Sequence, residues 1–324
     1  MRLAAIDVGT NTIRLLIGEA DGLGGYRPVL GAQEITRLGQ GLLPEKILQP
    51  EPMRRSLAVL ARFRALAEGH GATEIAAVGT SALREAGNRD AFLARARAEA
   101  GLDVAVIPGA EEARLTLLGV RAGLPDPPRH LVMLDIGGGS TELLLADGPT
   151  IRGMVSTGLG AVKLSEECLP ADPPDAEALA AARKIALTRL LRVRAGELPP
   201  WDDGAALVGT AGTVTTLAAI DLRLDPYDPE RVNGHRLRRD RVAALLQDLA
   251  ALPLPRRRQV RGLEPARADI IVGGTIICLA VMDALGFSHL LVSDGGLREG
   301  ILLDLLDRVR ARPSGPASRA PGNS

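Results

Sequence analysis

The chain has 324 residues, with Lys+Arg and Asp+Glu balanced at 39 each, so a nucleic-acid binder that relies on an overall basic field is excluded. Hydrophobic residues at 46% exclude disorder for the bulk, and at about 150 residues per domain the length fits two domains. The two cysteines, Cys168 and Cys278, lie far apart without a CxxC, which excludes a disulfide scaffold or zinc module and points to a reducing compartment.

The apolar stretch before Asp7 is too short for a signal-peptide core, and the longest nearly apolar run, Ile270 to Met282, is too short to span a membrane. A cytoplasmic protein without membrane or nucleic-acid partners is expected. Leu3 to Ile6 reads as a strand, Asp7 to Thr12 as a turn and Ile13 to Ile17 as a second strand, making a hairpin with a polar tip. Pro50 and Pro52 precede a helix with Leu57, Leu60, Phe63 and Ala67 at helical spacing, stopped by Gly69 and Gly71. A strand from Glu74 to Val78 follows, then a helix with Asn88 as N-cap ending near Gly101, a strand from Val104 to Ile107 and a helix from Glu111 to Val120. LPDPPRH, Leu124 to His130, is the predicted domain boundary, because three prolines oppose regular structure.

The pattern then restarts. Leu131 to Asp135 and Leu143 to Ala146 are strands around the turn IGGGSTE, and Asp175 to Gly196 is a long helix. A short strand from Ala206 to Val208, a helix beginning at Val214 to Asp221, a buried helix from Arg267 to Leu285, a strand from His289 to Val292 and a helix from Leu297 to Val309 complete it. The tail from Pro313 is low in apolar residues and is predicted to be disordered. Alternating strands and helices in both halves give an α/β architecture, with domains at 1–125 and 126–311 and a tail at 312–324. The last helix is free to pack back on the first domain.

DVGTNTIR, from Asp7 to Arg14, and DIGGGSTE, from Asp135 to Glu142, share a layout: a strand ends in Asp, a Gly follows two residues later and a hydroxyl residue five later. Glycines let backbone N–H groups surround an anion, and Thr or Ser hydroxyls add donors, so facing tips would make a cleft for several phosphates. The alternative is a pair of ordinary hairpin turns. Neither a GxGxxG fingerprint nor a GxxxxGK[ST] P-loop is present. GTAGTVTT, from Gly209 to Thr216, could line the same cleft, and VGG, from Val272 to Gly274, could either line it or allow close helix packing.

The chain resembles the exopolyphosphatase and guanosine pentaphosphate phosphohydrolase family, within the acetate and sugar kinase, heat-shock chaperone and actin superfamily. The resemblance rests on DVGTNTIR, RLGQGL, GTSALREAGN, IPGAEEARL, DIGGGSTE, GLGAVKLSE, GTAGTVTTLAAI, VNGHRL, GLEPARADIIVGG and VSDGGLREG, in that order, to about residue 308. Thr10 and Thr12 stand where members often carry serines, and the hydroxyls remain. A short form without the C-terminal HD-like region is expected, because no His here is followed by Asp. The resemblance implies two ribonuclease H-like, actin-like domains with an interdomain cleft, and removal of terminal orthophosphate from inorganic polyphosphate or of a phosphate from guanosine pentaphosphate. A homodimer is also implied.

Such hydrolysis needs a positioned water and donors that absorb charge on the phosphoryl oxygens. The resemblance puts the water-activating carboxylate in the EEA motif, on Glu112 with Glu111 as alternative; read from the residues alone, both are an acidic first helical turn. Asp135 and Glu142 suit Mg²⁺, with Asp7 assisting, although Glu142 could instead pair with Arg14. Arg84 and Arg14 match family positions that contact phosphate. The phosphate-binding set is therefore Gly9, Thr10, Asn11, Thr12, Arg14, Arg84, Gly137, Gly138, Gly139, Ser140 and Thr141. Arg256 to Arg261 and Arg236 to Arg241 are either solvated faces or guides for a long polyanion. Rival functions are a superfamily small-molecule kinase and a non-catalytic sensor of alarmone or polyphosphate. With no Cx₅R and no DxDxT, direct attack by water without a phosphoenzyme is expected.

Overall fold

The unbroken apolar run after Arg2 forms a strand buried on both faces: Leu3, Ala4, Ala5 and Ile6 are at most 2% exposed. In the computed structural model, which describes residues 1–202 and 204–312, this strand is the centre of the first of two sheets. β1 (Arg2–Val8), β2 (Thr12–Ala20) and β3 (Tyr26–Ile35) form an antiparallel meander. β4 (Ala72–Gly79) runs parallel to β1 and β5 (Val104–Val106) parallel to β4, giving the order β3-β2-β1-β4-β5. β3 was not anticipated, because as a half-exposed edge strand with Pro28 and Gly31 inside it shows no clean alternation.

α1 (Pro50–Gly69) and α3 (Arg89–Ala100) cover one face, where Leu57, Phe63 and Phe92 pack on Ile6, Ile13 and Leu15. Between β4 and α3 lies the short α2 (Ser81–Glu85), in a segment with no element predicted. Asn88 precedes α3 as expected but does not cap it; its amide instead takes the N–H and C=O of Leu48 at 2.9 and 3.1 Å. α4 (Gly109–Gly123) ends the first half.

The second sheet repeats the plan. β6 (His130–Ile136), β7 (Thr141–Asp147) and β8 (Thr150–Ser156) form the meander, with α5 (Ala161–Cys168) and α6 (Ala176–Arg192) after it. Asp175 caps α6 by accepting from the Ala178 N–H at 2.7 Å, and the regular α-helix stops at Arg192 rather than Gly196, giving way to a wider turn. β9 (Ala206–Thr210), α7 (Ala211–Asp221), α8 (Pro229–Val232), β10 (Arg236–Arg238), α9 (Arg239–Ala250), α10 (Leu254–Arg257), α11 (Ile271–Leu285), β11 (His289–Val292) and α12 (Leu297–Arg310) complete the described chain. α11 starts four residues later than expected, because Pro265–Arg267 forms a separate 3-10 turn. The sheet order is β10-β11-β9-β6-β7-β8, which from β8 inward matches the first sheet plus one edge strand. This is the ribonuclease H-like arrangement, twice.

The covering helices are exchanged between the halves. α4 follows the first sheet, yet its Ala113, Leu117 and Val120 pack on Leu131, Met133 and Leu144 of the second. α12 follows the second sheet, yet its Ile301, Leu302 and Leu305 pack on Leu3, Ala5 and Leu16 of the first. The two helices meet through glycines: a Cβ on Gly119 would collide with the Gly296 carbonyl, and one on Gly300 with that of Leu115. The chain crosses between the sheets at the irregular residues 124–129 and again at 293–296. Among the described residues no helix is long and apolar enough to cross a membrane, and the predicted disordered tail from Pro313 lies outside them.

Candidate active site

The two hairpin tips are built alike. Asp7 pairs with Arg14 across β1–β2, and Asp135 with Glu142 across β6–β7. Each turn closes on itself, the Gly9 N–H donating to Thr12 O at 3.1 Å and the Gly137 N–H to Ser140 O at 2.9 Å. A Cβ at Gly9 would come within 2.9 Å of that Thr12 carbonyl, so the turn requires glycine.

Neighbouring segments take up the tip carbonyls. At the first tip the N–H groups of Thr36 and Arg37 donate to Asn11 O at 3.0 and 2.9 Å, and that of Gly39 to Thr10 O at 2.9 Å. At the second, the first turn of α5 donates to Gly137 O and Gly138 O at 2.9 to 3.2 Å. The N–H groups of Thr10, Asn11, Gly138 and Gly139 have no protein acceptor among the described residues. A backbone with its carbonyls occupied and its N–H groups free is an anion cradle. The tips also approach each other, since a Cβ on Gly138 would lie 3.5 Å from that of Asn11.

Both tips line one cavity of about 1040 Å³, and of the carboxylates in its lining Asp7, Glu112, Asp135 and Glu142 lie close enough to influence one another. The first turn of α4 turns Glu112 inward, where it pairs with Arg84, which also donates to Ile107 O at 3.2 Å. Burial pushes the Glu112 carboxyl up to about 7, against the pull of Arg84. Glu111 points away, held by Arg114 at 2.7 Å, which in turn holds Asp304 at 2.6 Å. Burial and repulsion from Glu142 and Glu112 raise Asp135 to about 8, and burial raises Asp7 to about 6 despite Arg14 at 3.6 Å. Glu142 accepts from the hydroxyls of Ser140 and Ser156 at 2.6 and 2.8 Å, so the pairing of Glu142 with Arg14 is not formed; Arg14 sits on Asp7 across its own strand pair.

Gly9, Thr10, Asn11, Thr12, Arg14, Gly137, Gly138, Gly139 and Ser140 all line this cavity. Two of the expected phosphate contacts do not. Thr141 is 0% exposed, its hydroxyl turned into the protein interior, because the first residue of β7 faces the core side of the sheet. Arg84 stands behind Glu112 rather than in the cavity wall.

The Gly/Thr loop before and within α7 lines the cavity with Thr210 to Thr213, Thr215 and Thr216. VGG does not: a Cβ on Gly273 would meet Ser165 and one on Gly274 would meet Thr213, so these glycines serve close helix packing. Of the RRRQVR run, Arg257 is buried on the carbonyls of Leu249, Leu252 and Ala268 and on Asp172, all within 2.9 Å, whereas Arg258 and Arg261 are exposed and line the cavity. In RLRRDR, Arg238, Arg239 and Arg241 pair with Asp240, Asp283 and Asp221 beside a separate shallow depression. This stretch therefore does not line the cavity that holds the two tips.

Arg267 and Arg298 were missed as cavity residues. Arg267 donates to Glu264 at 2.8 Å and lies against Gly212, while Arg298 forks onto Glu299. Both lie within motifs recognisable in the sequence, but spacing alone does not say which way a side chain faces. Across the cavity rim Gln33 donates to Glu264 at 3.1 Å, and Arg37 lies 2.8 Å from Asp269, joining the two halves.

The donor set fits a hard divalent cation. Asp7 Oδ1 is buried without a hydrogen-bond partner, and Asp135 lies among carboxylates with Arg14 as the cation that lowers it. No group of three or more potential ligands is close enough among the described residues to enclose a metal. Mg²⁺, however, typically keeps waters and takes one or two carboxylates plus phosphate oxygens.

Comparison with known proteins agrees with this architecture. Residues 17–309 match the model of the Ppx/GppA phosphatase family. The chain is 34% identical to "Exopolyphosphatase 2" of Mycobacterium tuberculosis, covering 94% of this chain and 98% of that protein. The crystal structure of the Aquifex aeolicus Ppx/GppA family member superposes with a TM-score of 0.80 at 32% identity, over 95% of this chain and 98% of that one. An exopolyphosphatase from Cytophaga hutchinsonii gives 0.83 at 26% identity, over 95% and 98%.

Proposed function

The chain belongs to the Ppx/GppA phosphatase family, and from that premise we propose that it is a phosphoanhydride hydrolase releasing terminal orthophosphate from inorganic polyphosphate. Guanosine pentaphosphate, which ends in the same linkage, is proposed as a second substrate, converted to the tetraphosphate. The supporting observation is a pair of facing turns with free N–H groups and the inward-turned Glu112 lining the same cavity.

The free N–H groups of Thr10, Asn11, Gly138 and Gly139, the Thr12 hydroxyl and Arg14 would hold the terminal phosphates, while Ser140 keeps its hydroxyl on Glu142. Glu112 takes a proton from water and orients its oxygen at the terminal phosphorus. The new O–P bond forms as the bridging O–P bond breaks, and the electron pair leaves with the shortened chain. Arg84 keeps the Glu112 carboxylate aimed inward. Asp135 and Glu142 would hold Mg²⁺, with Asp7 assisting, and the ion when bound supplies positive charge to the phosphoryl oxygens. Arg258 and Arg261 would accompany the rest of a long substrate.

A side-by-side assay of phosphate release from tripolyphosphate, long-chain polyphosphate and guanosine pentaphosphate, with and without Mg²⁺, tests this. Release from polyphosphate without any acceptor is expected. Strict dependence on an acceptor would move the assignment to a kinase, and binding without release to a sensor.

A further inference from the structure

The VNGHRL segment has no part in the site described so far. Asn233 sits just before β10, where the edge pairing continues through Gly234 N–H to Val292 O and Val292 N–H to His235 O, both 2.8 Å. From there its side-chain amide spans both places where the chain crosses between the sheets. Nδ2 donates to the carbonyl of Gly123 at 2.5 Å, the last residue of α4, and Oδ1 accepts from the N–H of Asp294 at 3.2 Å, three residues before α12.

A helix ends with carbonyls that have no partner within it, so Asn233 supplies α4 with a donor that its own sequence lacks. The second crossing is fixed from the same side: the hydroxyls of Thr210 and Ser293 both donate to Gly295 O, at 2.8 and 2.9 Å. Gly295 in turn packs against Gly119 and Gly123 of α4. α4 carries Glu112 in its first turn, and the first turn of α12 lines the same cavity with Leu297, Arg298 and Glu299. One amide therefore links the two crossings beside the glycine contacts through which the exchanged helices pack.

We infer that Asn233 is a positioning residue for the hydrolysis, holding the ends of α4 and α12 in the register that places Glu112 against the second tip. The inference rests on the proposed function. It needs both faces of the amide: alanine removes both bonds, and aspartate keeps the acceptor for Asp294 while facing the Gly123 carbonyl with a second oxygen.

The test compares wild type, Asn233→Ala and Asn233→Asp by phosphate release from tripolyphosphate, by thermal unfolding and by backbone hydrogen exchange. In both variants kcat is expected to fall about tenfold with KM within about twofold, as for a misplaced reacting group rather than a lost phosphate contact. Faster exchange should be confined to residues 119–124 and 293–297, with Tm changed by no more than a few degrees. Unchanged kcat in both variants, or exchange that rises equally across the whole molecule, overturns the inference. A wild type that releases no phosphate would instead overturn the proposed function, and the exchange pattern would still decide whether Asn233 ties the crossings.

Discussion

The first and second hairpin tips share backbone, register and turn closure, but differ in charge. At matching positions the first carries Arg14 opposite Asp7, and the second carries Glu142 opposite Asp135. The first is braced by a loop, residues 36–39, and the second by the first turn of α5. The duplicated scaffold thus carries different charge on its two walls: in the proposed hydrolysis the first, with its arginine, would meet phosphate oxygens directly, and the second, with two carboxylates and no arginine on its own hairpin, would hold the cation. Glu112 is carried by a helix packed on the second sheet, while its partner Arg84 belongs to the first half.

The sharpest way to break this comparison is at the carboxylate between the walls. Glu112→Gln should lower kcat by about 10³-fold while retaining binding of labelled polyphosphate, and Glu111→Gln should stay within about twofold in the same phosphate-release assay. Equal losses would mean that the orientation of α4 does not select the base. Next, Asp135→Asn should cost about 10²-fold and flatten the Mg²⁺ titration of activity, with Asp7→Asn costing less, because Asp7 already has Arg14. The reverse order would place the cation at the first tip.

A smaller effect is expected along the cavity. The double variant Arg258→Ala, Arg261→Ala should lower kcat/KM about fivefold for long polyphosphate and less for tripolyphosphate, with the difference fading in high salt. The smallest effect concerns stability. The folded-state values of Asp7, Glu112 and Asp135, about 6, 7 and 8, lie above their ordinary 3.8, 4.5 and 3.8. The unfolded chain therefore loses these protons first, and their contribution to stability declines as pH rises from about 4 to about 8. With chelator present, Tm should fall over that window by a few degrees, and Asp135→Asn should fall less.

Much of the site could be read from residues 7–14 and 135–142, because a strand ending in Asp followed by a Gly-bearing turn constrains the local backbone. The assignment of Glu112 over Glu111 could not be made that way: adjacent helical residues diverge by about 100°, and what lies on each side is decided by Arg84 and Arg114. Thr141 shows the opposite failure. Its place in the motif suggested a ligand contact, yet strand alternation sends it into the core. Arg257, Arg258 and Arg261 look alike in the sequence, and only packing separates the first, buried on carbonyls, from the two that line the cavity.

The sequence by itself determined the α/β alternation, the duplication and the chemistry of the two turns, since these depend on patterns a few residues long. Tertiary structure alone decided that α4 and α12 exchange sheets, that the tips face one another, and which acid and which arginines meet in the cavity. Those facts depend on contacts between segments far apart in the chain, where a side chain's direction is set by the surface it packs against rather than by its neighbours in sequence.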